Sequence, residues 1–270
     1  MEQTMYHNTV KRGGISSSSL KIIAVISMLT DHFAAGVLGR YLTASGLYGL
    51  DVTDTDGVML WMGQGHNMQL LMAYQIMRMI GRIAFPIYCF LLVEGFEHTK
   101  NRIKYAQRLL LFAAASEIPF DLLFKGKILE FGYQNVFFTL FFGLAVMMGL
   151  SWVQEHLPVK GKAAAAAGSI AVIAAGAGAA QLLSTDYGAI GVMCMTVLFL
   201  FRRKKTWQVI AGCVVFLWEL TAPLAFVPVW FYNGRRGMKL KYFFYLFYPV
   251  HLLVLYLICI ALGINGYSAM

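Results

Sequence analysis

Asp31 and His32 stand side by side more than halfway along an apolar stretch. A charge at the centre of a membrane helix costs about 2.5–3.5 kcal/mol on insertion scales, so polar residues kept there are candidates for chemistry. His32 is the better general base, because an imidazole with an ordinary pKa of about 6.5 takes and returns protons near neutral pH. Lys21 lies eleven residues earlier. At roughly 100° per residue that spacing puts both side chains on one helix face, about 16 Å apart along the axis. A cation at the entrance and an imidazole at depth suit a long donor with an anionic head, held while its far end is worked on. Taken alone, Lys21 also fits a snorkelling anchor, and His32 a hydrogen-bonded packing residue. Asp31 need not pair with His32, because adjacent helix positions diverge by about 100°.

Other polar residues fall inside apolar stretches. Arg78 and Arg82 are four apart and share a face. A buried guanidinium needs an anion, which here is Asp31, a carboxylate on another helix, or a phosphate or oxyanion of substrate. Glu94 follows toward the end of the same stretch. Glu117 and Asp121 share a face with Pro119 between them, which reads as an exposed pair near the outer interface. Asn135 opens a further stretch and reads as a helix cap. His251 is a second candidate proton carrier. His66, His98 and His156 lie in linkers and are given no catalytic role.

These residues must be positioned by membrane helices. The chain has 270 residues, 59% hydrophobic and only 13% charged, with a mean hydropathy of +0.64. Soluble domains carry roughly 25% charged residues, and here apolar runs of membrane-spanning length alternate with short polar clusters. The expected fold is all-α, a polytopic transmembrane helical bundle of about 8 spans at 20–38, 69–97, 104–124, 135–153, 163–183, 187–201, 206–231 and 242–262. The count becomes 9 if 206–231, which holds Glu219, Pro223 and Pro228, forms two short or re-entrant helices. Pro86 is expected to kink the second span, and the Ala/Gly-rich stretch Ala163 to Ala180 to favour close helix packing over lipid contact. Residues 1–19 read as a cytoplasmic arm, 20–262 as one transmembrane domain with an external loop at about 39–68, and 263–270 as a tail. The first apolar block carries Lys21, Asp31 and His32, and is read as a retained helix rather than a signal peptide.

The net charge of +9 is topological rather than a nucleic-acid footprint. Lys11, Arg12 and Lys21, then Lys100 to Lys104, Lys160 and Lys162, and Arg202 to Lys205 all fall on one side if the spans alternate. That side, with the N-terminus, is expected to be cytoplasmic. Arg235, Arg236, Lys239 and Lys241 break the pattern if 206–231 is a single span. The four cysteines, Cys89, Cys194, Cys213 and Cys259, lack metal or redox spacing and read as small packing residues. No metal site is expected, and the absence of a phosphate loop or soluble nucleotide-hydrolysing domain argues against a primary pump. An enzyme, a proton-coupled permease using Asp31, His32, Arg82 and His251 as a relay, and a non-catalytic assembly factor all remain compatible with these residues.

In order, the polar residues resemble the TraX family, named for an inner-membrane protein associated with N-terminal acetylation of conjugative pilin. The likeness rests on Leu20-Lys21 leading to Asp31-His32 and on Gly81-Arg82-Ile83-Ala84-Phe85-Pro86. It continues through Glu94-Gly95-Phe96, Thr99, Asn101, Tyr105, Arg108-Leu109, Ile118-Pro119-Phe120, Asn135 and Asp186-Tyr187-Gly188. It ends with Asn233-Gly234-Arg235-Arg236-Gly237 and the run from Phe243 to Leu252, so that it covers about 15–262. Lys21 and His32 also look like the basic residue and histidine of the larger acyltransferase family 3 group, in which an acyl-CoA donor enters from the cytoplasm. The resemblance implies an acetyltransferase of the bacterial cytoplasmic (inner) membrane with acetyl-CoA as donor. It leaves the acceptor open; an amine or hydroxyl at or beyond the outer face is expected, on a pilin-like protein or an envelope glycan. The mechanism expected from these residues has His32 as base, Asp31 orienting it through local packing or water, and Arg82 as the candidate to steady the oxyanion. In it Arg102, Lys104 or Arg108 draws in the CoA phosphates, and the donor's arm passes Lys21.

Overall fold

The computed structural model describes residues 13–51, 53–238, 241–267 and 269. The expected arm therefore lies, up to Arg12, outside the described residues, as does Lys239. All regular elements among the described residues are helical, as the apolar periodicity requires. Helix α1 runs Ser17–Ala44 and passes through a wide π-helical turn at Phe33–Leu38, directly after His32. Such turns recur at functional sites. A short helix α2 (Thr55–Gly63) precedes α3 (Asn67–Gly81) and α4 (Ala84–His98). Then follow α5 (Arg102–Lys125), α6 (Val136–His156), α7 (Lys162–Leu182), α8 (Gly188–Leu200), α9 (Lys205–Val215), α10 (Phe226–Trp230) and α11 (Lys241–Ala261). Five segments are long and apolar enough to cross a membrane, namely Ser17–Ala44, Asn67–His98, Val136–His156, Lys162–Leu182 and Phe243–Ala261.

The bundle has a proximal end, where α1 starts, and a distal end, where it finishes. At the proximal end Ile15 pairs with Tyr232, and Arg202 bonds Glu97 at 2.9 Å. At the distal end Gln134 pairs with Thr185. Arg40 is fully buried there. It donates to the carbonyls of Leu122 and Leu123 at the end of α5, and to those of Asn265 and Tyr267 beyond α11. A guanidinium with its five N–H groups suits this clamp on carbonyls that a helix end leaves free.

Two expected spans are not single helices. The second breaks at Arg82–Ile83 rather than bending at Pro86. Pro86 has no N–H to offer the Arg82 carbonyl and would crowd it. It sits instead in the first turn of α4, where no intrahelical N–H bond is needed. The carbonyls at the break are taken by side chains of α1 and of the turn after α9. Ser27 Oγ donates to Ile80 O at 2.5 Å and Gly81 O at 3.2 Å, and Thr221 Oγ1 to Met79 O at 2.6 Å. The 206–231 segment is α9 and α10 joined by a turn, and it does not cross. Lys205 Nζ donates to Tyr232 O at 2.6 Å, so the segment leaves and returns at the proximal end. Arg235 and Arg236 therefore sit at the end that holds Ser17, whose N–H donates to Arg235 O at 2.8 Å. The Ala/Gly helix α7 packs against α6 where Gly149 and Gly176 admit Val172 and Val146. Elsewhere it departs from expectation, since only Ala180 along its length is buried.

Candidate active site

A cavity of about 740 Å³ runs through the bundle between α1, α3, α4, α5 and α11. Ser17, Lys21, Arg236 and His98 line it proximally, Asp31, His32, Arg78 and Arg82 in the middle, and Lys125, Tyr133 and Asp186 distally. It thus approaches both ends of the molecule.

In the middle, His32 and His251 lie nearly parallel, with ring centroids 5.0 Å apart. His32 Nδ1 is 2.7 Å from His251 Nε2, and His251 Nδ1 is 2.7 Å from the Phe247 carbonyl. A carbonyl only accepts, so His251 Nδ1 carries the proton and its Nε2 accepts in turn. His32 Nδ1–H then donates, which leaves His32 Nε2 with the free lone pair. His251 is 5% exposed and lies off the cavity wall, behind His32. Phe124 and Tyr248 hold His32 edge-on from two other sides. His251 is thus a partner of the base rather than a second group facing the cavity.

Asp31 is not hydrogen-bonded to His32. Its Oδ2 accepts from Arg78 Nη1 at 2.6 Å, and its carboxyl packs on Gly81, where a Cβ would come within 2.2 Å of Oδ1. The glycine is what lets α1 and α3 approach so closely. Arg82 finds its anion in Glu219, with Nη1 3.0 Å from Oε1. Glu219 lies in the turn between α9 and α10, so the re-entrant segment delivers a carboxylate to mid-bundle. The sequence marks it only as a lone acid in an apolar block. At the broken helix Phe85 stacks on Tyr187 at 3.7 Å between centroids. Toward the distal end, the Tyr133 hydroxyl donates to Asp186 Oδ1 at 2.6 Å. Burial pushes the Asp186 carboxyl up to about 6, against the opposing pull of that hydrogen bond.

The remaining candidates divide. Lys21, Glu94 and Arg108 line the cavity. Arg102 does not; it stacks over Phe96, 4.2 Å from the ring centroid. Lys104 is exposed at the start of α5, away from the cavity. Asn135 is also off the cavity. It is fully buried and caps α6, accepting from Phe137 N at 3.0 Å, while its Nδ2 donates to Ala113 O and Glu117 Oε2. Glu117 and Asp121 are buried rather than exposed, because the chain after α5 folds back and Glu130 N donates to Asp121 at 2.7 Å. Arg236, Tyr133 and Asp186 join the lining, although spacing gives no sign of it.

Fold and site together define a polytopic helical membrane protein whose bundle encloses a polar, histidine-bearing cavity. The chain matches the TraX protein family over residues 16–259, and it belongs to that family. A relative, the probable fimbrial assembly protein FimC, serogroup H1, of Dichelobacter nodosus, is 29% identical over 271 residues, covering 89% of this chain and 94% of the relative. No solved structure matches the chain.

Proposed function

We propose that the protein is a membrane acetyltransferase that passes an acetyl group from acetyl-CoA to an amine or hydroxyl acceptor. The observation that carries this reading is one continuous cavity, which joins a basic proximal end to His32 and continues past it toward the distal end. The donor enters proximally, its arm lying along α1 from Lys21 to His32. The acceptor reaches the same histidine from the distal side. His32 Nε2 removes a proton from the acceptor N–H or O–H as that atom attacks the thioester carbonyl carbon. The new C–N or C–O bond forms, the C–S bond breaks, and the CoA thiolate leaves with the proton returned by His32. Arg82 lines the cavity and is engaged by Glu219 and the Tyr187 hydroxyl, which leaves the rest of its five N–H groups for the oxyanion.

In this reading residues 20–262 form one catalytic domain. The basic proximal end faces the cytoplasm of a bacterium, and the membrane is its inner one. The acceptor is a pilin-like protein, which accords with the relative named for fimbrial assembly, or an envelope glycan. A path open toward both ends also suits a permease, so the assay must separate transfer from transport.

Purified protein in lipid nanodiscs, supplied with acetyl-labelled acetyl-CoA and a candidate pilin peptide, should release free CoA and label the peptide. His32→Ala should bind acetyl-CoA as the wild type does while losing transfer. Normal acetylation by His32→Ala would remove the central claim. Solute flux in proteoliposomes with no acetyl transfer would favour the permease.

A further inference from the structure

Ion pairing divides the cavity into two zones. In the middle, Arg78 and Arg82 are neutralised by Asp31 and Glu219. Proximally, Lys21, Arg108 and Arg236 line the wall, and among the described residues none of the three has a carboxylate within ion-pairing distance. Lys21 Nζ lies 5.3 Å from the Phe244 ring centroid, and Arg108 lies 5.8 Å from that of Tyr105. The Arg108 Nε is buried without a hydrogen-bond partner. Lys21 and Arg236 are near enough for their charges to interact. Glu94, the carboxylate on this part of the wall, is engaged by the Tyr232 hydroxyl and faces His98. Lys21 and Arg236 repel each other, and with Arg108 on the same wall an anion would offset the excess of positive charge.

Arg236 is placed there by a backbone clasp. The first amides of α1 are already used: Ser17 N donates to Arg235 O at 2.8 Å and Ser18 N to Arg236 O at 3.1 Å. Ser18 Oγ in turn accepts from Met238 N at 3.0 Å. Gly237, at φ +70, fits against the serines where a Cβ would fall 2.0 Å from Ser18 Oγ. The helix N-terminus therefore has no amides left for an anion, and attraction must come from the side chains.

We propose that Lys21, Arg108 and Arg236 form a phosphate-binding site at the proximal end of the cavity. Arg236 on the clasped loop is the residue that makes it selective for a phosphorylated, elongated ligand. Guanidinium forks match phosphate oxygens in geometry as well as charge. Lys21 stands about 16 Å from His32 along the helix, so a ligand held at both ends carries its phosphate far from its reactive group. A phosphopantetheine thioester has that form, whereas acetyl phosphate does not. This inference rests on the acyl-transfer reading and replaces Arg102 and Lys104 as phosphate contacts. An anionic phospholipid headgroup has the same chemistry, and the test must distinguish it.

The test measures binding of CoA, 4′-phosphopantetheine, pantetheine and acetyl phosphate to the purified protein in neutral phosphatidylcholine nanodiscs. Arg236→Gln, Arg108→Gln and the distal control Lys127→Gln are compared, each with a matching thermal melt. The expected result is that both arginine variants weaken CoA and phosphopantetheine at least tenfold, and that pantetheine and acetyl phosphate bind poorly throughout. Arg236→Lys should recover part of the loss, and Lys127→Gln should bind as the wild type does. If the wild type binds CoA and both arginine variants bind it equally well, the site is wrong although the donor reading survives. If the wild type binds no CoA, the donor reading falls, and the site falls with it. The lipid arm repeats the measurement with phosphatidylglycerol. Arg236-dependent retention of that lipid, without displacement by CoA, would assign the site to a headgroup and overturn the proposal.

Discussion

His251 does not line the cavity, and its hydrogen bond toward the wall is the one with His32. Its Nε2 accepts the His32 Nδ1 proton because its own Nδ1 is committed to the Phe247 carbonyl. Without it, His32 is free to take the other tautomer and to turn away. His251→Ala should therefore lower kcat for acetyl transfer by roughly 10²-fold, the lower range of what a positioned base contributes, with KM for acetyl-CoA unchanged. His251→Gln, whose amide oxygen accepts a hydrogen bond, should restore part of that rate. Equal kcat in wild type and His251→Ala would show the contact to be packing alone. Residue by residue, the sequence exposes Lys21, Asp31, His32 and Arg82, because a charge inside an apolar run is conspicuous. It offers Asp31 and a carboxylate on another helix as anions for the two guanidiniums, and does not tell which arginine takes which. Asp31 faces Arg78, and Arg82 faces Glu219, because helices distant in sequence meet there. Arg40 falls in the expected external loop at about 39–68, and the folded chain shows it buried instead and clamping two helix ends.

At the scale of elements, the broken helix α3–α4 and the re-entrant α9–α10 depend on each other. Breaking a helix at membrane depth leaves carbonyls that lipid cannot satisfy, and the turn after α9 supplies both Thr221 and Glu219 to that point. Glu219→Gln keeps the shape but removes the charge that Arg82 faces. It should cost about 2 kcal/mol, in the range of hydrogen bonds to charged groups, read as a lower melting temperature in detergent. Combining it with Arg82→Gln should cost less than the two single changes summed, because the pair is lost only once. Strict additivity would mean that the hairpin tip is held by apolar packing instead. The apolar runs make most helices legible, and Pro86 marks the neighbourhood of the break. Residues 206–231 are long and apolar enough for one span, and the contacts of Tyr232 with Lys205 and Ile15 separate a return from a crossing.

Over the whole molecule, that return decides where the last basic cluster lies. A single crossing at 206–231 would set Arg235 and Arg236 opposite the other linker cations, against the tendency of Lys and Arg to share one side. The re-entrant path brings them to the proximal end, where Ser17 and Ser18 bond their carbonyls. The tail beyond α11 then lies distally, held by Arg40. Single-cysteine labelling in a background with Cys89, Cys194, Cys213 and Cys259 replaced tests this arrangement directly. An impermeant maleimide should modify Gly13→Cys and Arg235→Cys from one face of the membrane. Lys127→Cys and Gly266→Cys should react only from the other. If the first pair also reacts from the cytoplasm, the donor entrance meets the compartment where CoA is made available, as the proposed chemistry requires. If the proximal pair reacts only from outside, the same cavity would offer its basic end to the wrong compartment. Labelling of Arg235→Cys together with Lys127→Cys would restore the single crossing. It would also separate Arg236 from Lys21 by the thickness of the bilayer, and no shared phosphate site could then form.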